Sequence, residues 1–455
     1  MAKILITLWQ YDIFNNSPSN LFCYYEGLIK ELQKFDNQVF VVNRRFIAKN
    51  YFLPEIINKN ELVEQVKQFN PDLIIAFNNQ IFDGLLENTT CPIALFDADG
   101  IDFFSCKNEI KKFQHRYYMI CNYKNWEDSY EEIDILKNRI FNIHTATAIS
   151  SSTKEKTANI SFIGTKFHGE CSHLIKKYFK NNSLNLYNLK QEYWKCKNYN
   201  YEALLQKYFP NLDCNKFDLY NIFDNRNYIL TSILDLGLKL YGSGWANGED
   251  SNLDLMAAYD STPIYSLKHN QDVYNSSKIN LSISHPQCKG FAYPWRCYDI
   301  MASSGLLICS YSKLLEDLTA KHVKIPMYHS PYEARDLCKY ALSNPTWCED
   351  IVSASNEFIN KFGRWEDNFK ILENIFNINL TNTFNKKEQE VIYYNPLKNI
   401  LHKNENLLKI KYKNIANGFF LILMHLPIIE LLFSEKNKIK VYKSIKKYKR
   451  CNQHD

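Results

Sequence analysis

The densest run of chemically capable residues is GFAYPWRCYDIMASSGLLICSY, Gly290 to Tyr311, which reads as a loop passing through a helix into a strand. Pro294 suits the start of a helix, Arg296 and Asp299 fall in its first turn, and Gly305 ends it. Free N–H groups at a helix N-terminus attract anions, and an adjacent guanidinium adds a forked donor suited to phosphate. An Asp in the same turn can accept from sugar or ribose hydroxyls. The competing structural reading is a capped helix in which Arg296 and Asp299 pair with each other. A second set, Asp97, Asp99 and Asp102, follows the apolar run Pro92–Phe96. A carboxylate there can serve as a general base; the competing reading makes Asp99 and Gly100 a turn capped by Asp97.

These residues need elements that bring them together. Up to about residue 155, apolar or β-branched runs at Lys3–Leu8, Gln38–Val42, Asp72–Phe77, Pro92–Phe96, Tyr117–Cys121 and Thr145–Ile149 read as buried strands. Leu21–Leu32 and Glu61–Phe69 carry apolar residues at helical spacing between them. Such alternation predicts a parallel, doubly wound sheet, which binds ligands at the carboxyl ends of its strands. A second series runs through strands Ile160–Ile163, Leu238–Tyr241, Ile279–Ser282 and Leu306–Cys309, with a helix at Tyr298–Ser303 before the last. Two Rossmann-like sheets joined near 150–160 imply an α/β protein with two facing domains and a cleft between them. Thirteen glycines in 455 residues are well below the usual share of ~7%. Eight of them fall between Gly164 and Gly305, so tight turns or close ligand approach belong in that stretch.

Composition narrows the function classes. With 45% hydrophobic and 23% charged residues the chain is globular. Its net charge of +6 is concentrated at one end, since residues 402–455 hold 12 Lys and Arg against 4 Asp and Glu. The remaining body is near neutral and lacks the field that nucleic-acid binding uses, so no nucleic-acid partner is expected. The 13 Cys include no CxxC pair, which favours a reducing cytoplasm over a zinc finger or disulfide framework. MAKILITLWQ meets Gln10 and Asp12 before a secretory apolar region can form, so no signal peptide is expected. Phe419–Phe433, interrupted by His425, Pro427 and Glu430, is too short to span a membrane. The absence of GxGxxG counts against a dinucleotide oxidoreductase.

The phrase YPWRCYDIMASSGLLICSY, preceded by LKLYGSGW and VYNSSKINLSIS and followed by NKFGRWEDNFKILENIF, resembles the donor domain of the spore-maturation CgeB-like glycosyltransferases. The resemblance covers roughly residues 158–376. It implies the GT-B fold, with a nucleotide-sugar donor held by the second domain and an acceptor facing the first. On its terms Gly164 and Thr165 approach the donor diphosphate, with Lys166 and His168 following. Gly242, Ser243, Gly244 and Trp245 match the second donor loop, and Asp299 faces the donor ribose or sugar. The helix near 360–376 closes against the first domain. A paired-Glu motif would need Glu eight residues before Asp299, where Phe291 stands.

The expected organisation is therefore 1–155 for an acceptor-side Rossmann-like domain, 156–380 for the donor domain, and 381–455 for a basic tail. Asp97 and Asp99 are the candidate catalytic carboxylates, and Asp12, Asn15 and Asn16 are candidates to line the acceptor side. No metal or other cofactor is expected: Asp97-Ala98-Asp99 has the spelling of a metal clamp but belongs to the acceptor domain, and helix termini and basic groups can neutralise a diphosphate. The acceptor class stays open among glycan, lipid-linked and protein. The tail is a candidate peripheral anchor on an anionic membrane surface. Rival readings are a sugar-nucleotide epimerase and a non-catalytic carbohydrate- or nucleotide-binding protein.

Overall fold

A computed structural model describes residues 1–10, 19–47, 59–122, 130, 132–166, 173–195, 202–212, 225–245, 253–285, 288, 291–382 and 390–395. The first six strands are β1 (Lys3–Leu8), β2 (Gln38–Asn43), β3 (Leu73–Phe77), β4 (Ile93–Phe96), β5 (Tyr117–Cys121) and β6 (Ile140–Asn142). They pair parallel in the order β2-β1-β3-β4-β5-β6. Leu73, Ile74, Ile75 and Ala76 are wholly buried, because helices and loops cover both faces of a parallel sheet. The second sheet contains β7 (Ala158–Ile163), β8 (Leu238–Tyr241), β9 (Ser277–Ser282), β10 (Leu306–Ser310) and β11 (Met327–Tyr328), ordered β11-β10-β9-β7-β8 and again parallel. Two Rossmann-like domains facing one another are the GT-B arrangement.

Sequence and structure differ at Thr145–Ile149, which forms no strand. Thr145, Ala146, Thr147 and Ile149 are buried, and Thr147 makes a single parallel bridge to Arg364. The β-branched pattern there records burial where the chain crosses between domains, and Ile140–Asn142 supplies the sixth strand instead. Gly305 is needed for a close approach. A Cβ there would lie 2.1 Å from Asn280 Nδ2 and 2.5 Å from the Tyr274 carbonyl, with Asn280 itself held by Ser161 at 2.5 Å.

After the second sheet the chain returns to the first. Trp365, Phe369 and Leu372, on the helix Trp365–Phe376, join the core that contains Ile4, Ile6 and Val39. Strand β12 (Val391–Tyr393) then pairs parallel with β2 as the sheet's edge.

The domains meet along the start of the helix Cys23–Lys34. Tyr24 stacks on Trp295 with ring centroids 3.7 Å apart. The Cys23 amide donates to the Tyr265 carbonyl at 2.8 Å, and the Leu267 amide donates to Glu26 at 2.6 Å. At the centre Asp299, 6% exposed, accepts from the Thr147 hydroxyl at 2.5 Å and faces the Cys23 thiol at 3.7 Å. Burial pushes the Asp299 carboxyl up to about 6, against the hydrogen bonds from Thr147 and Cys23. The native state therefore keeps a proton that the unfolded chain releases near pH 3.9. Stability should fall as pH rises from about 4 to about 6, by on the order of 2–3 kcal/mol from this group. Asp299→Asn should make that decline shallower in urea unfolding followed between pH 4 and 7, leaving the share that Asp97 contributes; a decline parallel to that of the unaltered protein would show that Asp299 does not titrate there.

Candidate functional site

In the second domain two loops leave adjacent strand ends and are zipped together. The Gly164 amide donates to the Tyr241 carbonyl and the Lys166 amide to the Ser243 carbonyl, each at 3.0 Å. Gly242 has φ 111°, and a Cβ there would sit 2.3 Å from the Gly164 oxygen, so only glycine permits this approach. Trp245 is buried; its indole N–H donates to that same oxygen at 2.7 Å and its ring meets Phe162 edge-on. The Thr165 and Ser243 hydroxyls lie 3.2 Å apart at the surface of the paired loops.

Cations gather around this pair of loops. Arg296 donates to the Ile163 carbonyl and Arg226 to the Thr165 carbonyl, so two guanidiniums straddle Gly164. Lys166 is 1% exposed beside them. His285, after β9, is driven down to about 4 by burial and by Arg226, and so is neutral at physiological pH. The sequence-predicted residues Gly164, Thr165, Lys166, Gly242, Ser243, Gly244, Trp245 and Arg296 thus come together. Asp299 does not join them, because its carboxylate faces Thr147 and Cys23 in the domain interface. Nor do Arg296 and Asp299 form the simple pair of the competing reading, since Arg296 is turned to the end of β7. Arg226, on a helix over 225–232 distant in sequence from Gly164, carried no motif that could single it out.

In the first domain a pocket of about 160 Å³ opens at the carboxyl ends of β1, β3 and β4. β2 and β3 flank β1 on opposite sides, so this is the topological switch point where doubly wound sheets bind ligands. Its walls are Trp9, Tyr25, Phe77 and Phe103, and its polar groups are Asn78, Gln80 and Asp99. Asn78 has φ 46°, a left-handed conformation that Asn tolerates. From there it accepts from the Ala98 amide at 2.9 Å and donates to Asp99 at 2.6 Å. Desolvation raises the Asp99 carboxyl above the usual range, against the pull of Asn78.

Asp97 has a different environment. It is 6% exposed and accepts from the Tyr130 hydroxyl at 2.5 Å and the Gly100 amide at 2.6 Å, which is the geometry of a turn cap. Burial pushes its carboxyl up to about 6. Asp12, Asn15, Asn16, His168 and the tail 402–455 lie outside the described residues. Among the described residues no three His, Cys, Asp or Glu side chains converge as a metal site. No helix among them is long and apolar enough to cross a membrane. Trp9, Tyr25, Asn78 and Gln80 escaped sequence reasoning; only their place just past a strand end, or on the following helix for Tyr25, could have flagged them.

Comparison with known proteins gave a family match within the second domain, where residues 226–374 match the model described as glycosyl transferase-like. No curated protein matches the chain. Among solved structures it is similar to Anabaena HepE in complex with UDP-glucose (9% identity, 83% of this chain, 100% of that one, TM-score 0.44). It is also similar to sucrose-phosphate synthase from Thermosynechococcus elongatus (8% identity, 83% and 98%, TM-score 0.49). A third is a putative UDP-N-acetylglucosamine 2-epimerase from Listeria monocytogenes (9% identity, 86% and 99%, TM-score 0.41). Arg226, His285 and Arg296 all lie within the residues that match the glycosyl transferase-like model.

Proposed function

We propose that this protein transfers a sugar from a nucleotide-sugar donor to an acceptor hydroxyl in the inter-domain cleft. The observation that carries the reading is the division of charge across that cleft. Arg226 and Arg296, which lie within the residues matching the glycosyl transferase-like model, and the buried Lys166 surround the β7 and β8 loops, and a carboxylate stands in the opposing pocket. The donor diphosphate lies against Arg226, Arg296 and the Thr165 and Ser243 hydroxyls, where charge-assisted bonds can take up the negative charge that grows as the nucleoside diphosphate leaves. Asp99 removes the proton from the acceptor hydroxyl as its oxygen bonds to the anomeric carbon and the bond from that carbon to the diphosphate oxygen breaks. The raised affinity of Asp99 for a proton suits it to this task. Asn78 positions Asp99 through the hydrogen bond between them.

Incubation with a panel of nucleotide sugars tests the reading. Acceptor-dependent release of nucleoside diphosphate is expected; interconversion of donor without acceptor would indicate an epimerase, and binding without turnover a non-catalytic protein. Asp99→Asn should lower kcat by about 10²–10⁴-fold with donor affinity kept, the range for losing a general base. An undiminished rate would remove Asp99 from the chemistry. Arg226→Ala should weaken donor binding by about 1–3 kcal/mol in calorimetry, whereas unchanged affinity in a folded variant would leave Arg226 a structural strut for the Thr165 loop. Because basic side chains and loop hydroxyls are assigned the diphosphate, turnover should persist in EDTA; loss restored by Mg²⁺ or Mn²⁺ would overturn that assignment.

A further inference from the structure

The pocket at the first sheet's switch point carries more information than its position. Phe77 forms a buried apolar wall, and Phe103, 58% exposed, stands at the mouth. Aromatic faces of this kind cover the C–H face of a ring whose edge is polar. The polar groups are a carboxylate and two carboxamides. Arg44 donates to the Gln80 carbonyl oxygen at 3.2 Å, so the amide N–H groups of Gln80 remain as its donors. A carboxylate acceptor beside an amide donor can bind neighbouring hydroxyls that both give and take hydrogen bonds.

Charge and size restrict the ligand further. Among the described residues no Lys, Arg or His lines the pocket, and the one charged lining group is Asp99. A phosphorylated or carboxylated ligand would place like charge against that carboxylate in a partly desolvated site. A cavity of about 150 Å³ takes one benzene-sized ring, which is the class of this one at about 160 Å³. We propose that the pocket binds a single uncharged pyranose ring, so that the acceptor is the terminal neutral sugar of a glycan or glycoside. This rests on the reading of the pocket as the acceptor side.

Saturation-transfer NMR on the full chain, without donor, tests the inference. The probes are the methyl glycosides of glucose, galactose, mannose and N-acetylglucosamine, each beside its 6-phosphate. At least one neutral glycoside should bind, at least tenfold more tightly than its phosphate. Phe103→Ala, at an exposed position, should weaken that binding at least fivefold, and Trp9→Phe should preserve it where Trp9→Ala does not. Asp99→Asn should narrow the gap between neutral and phosphorylated probes. Silence from all four neutral glycosides, equal or tighter binding of a phosphate, or indifference to Phe103→Ala would each overturn the proposal. Nucleotide-sugar binding is measured on the same samples. Its absence with glycoside binding intact would sink the transferase reading alone, while donor turnover with no glycoside binding would sink the acceptor assignment alone.

Discussion

Tyr24 and Trp295 stack between the two domains, and the geometry of the cleft depends on that contact. Trp295 immediately precedes Arg296, whose guanidinium reaches the end of β7, while Tyr24 precedes Tyr25, a wall of the first-domain pocket. One aromatic pair therefore fixes the separation of Arg296 from the pocket that holds Asp99. Phe77 extends the contact, meeting both Tyr25 and Trp295 edge-on. Rigid aromatic side chains suit this purpose because few rotatable bonds must be frozen to hold them.

The interface around that pair is polar at its centre. Asp299 is buried there against Thr147 and Cys23, an arrangement that would be costly for an isolated carboxylate and is tolerated because a proton or hydrogen bonds compensate it. The acids of the two domains are thus used in different ways. Asp299 joins domains, Asp97 closes a turn, and Asp99 faces the pocket. All three have carboxyls raised by desolvation, so a raised carboxyl by itself does not separate a working acid from a structural one.

Much of the framework was legible in the sequence because parallel strands buried on both faces leave unbroken apolar runs. Lys3–Leu8 and Tyr117–Cys121 could be bounded to the residue for that reason. Thr145–Ile149 misled because a buried crossover and a buried strand select the same β-branched residues. The paired loops after β7 and β8 were visible through Gly164 and Gly242, since close backbone approach leaves a glycine behind. Arg226 and Gln80 were not, because a side chain brought in from a distant element by tertiary packing has no local pattern to betray it. The separate parts of Asp97 and Asp99 were equally hidden: their roles are set by Tyr130 and Asn78, partners 33 and 21 residues away.

The return of the chain to the first sheet has a consequence for the order of assembly. Trp365, Phe369 and Leu372 complete the core under β1 and β2, and β12 covers the edge of β2, yet all of them follow the whole second domain in sequence. During synthesis at ~5–20 residues per second, the first sheet must wait on the order of tens of seconds for them. The strands of the second sheet are made in one uninterrupted stretch and can close before that. The domain that begins the chain is thus the one that finishes last, and a fragment ending at the crossover would leave a parallel sheet with an open edge and an unfilled core.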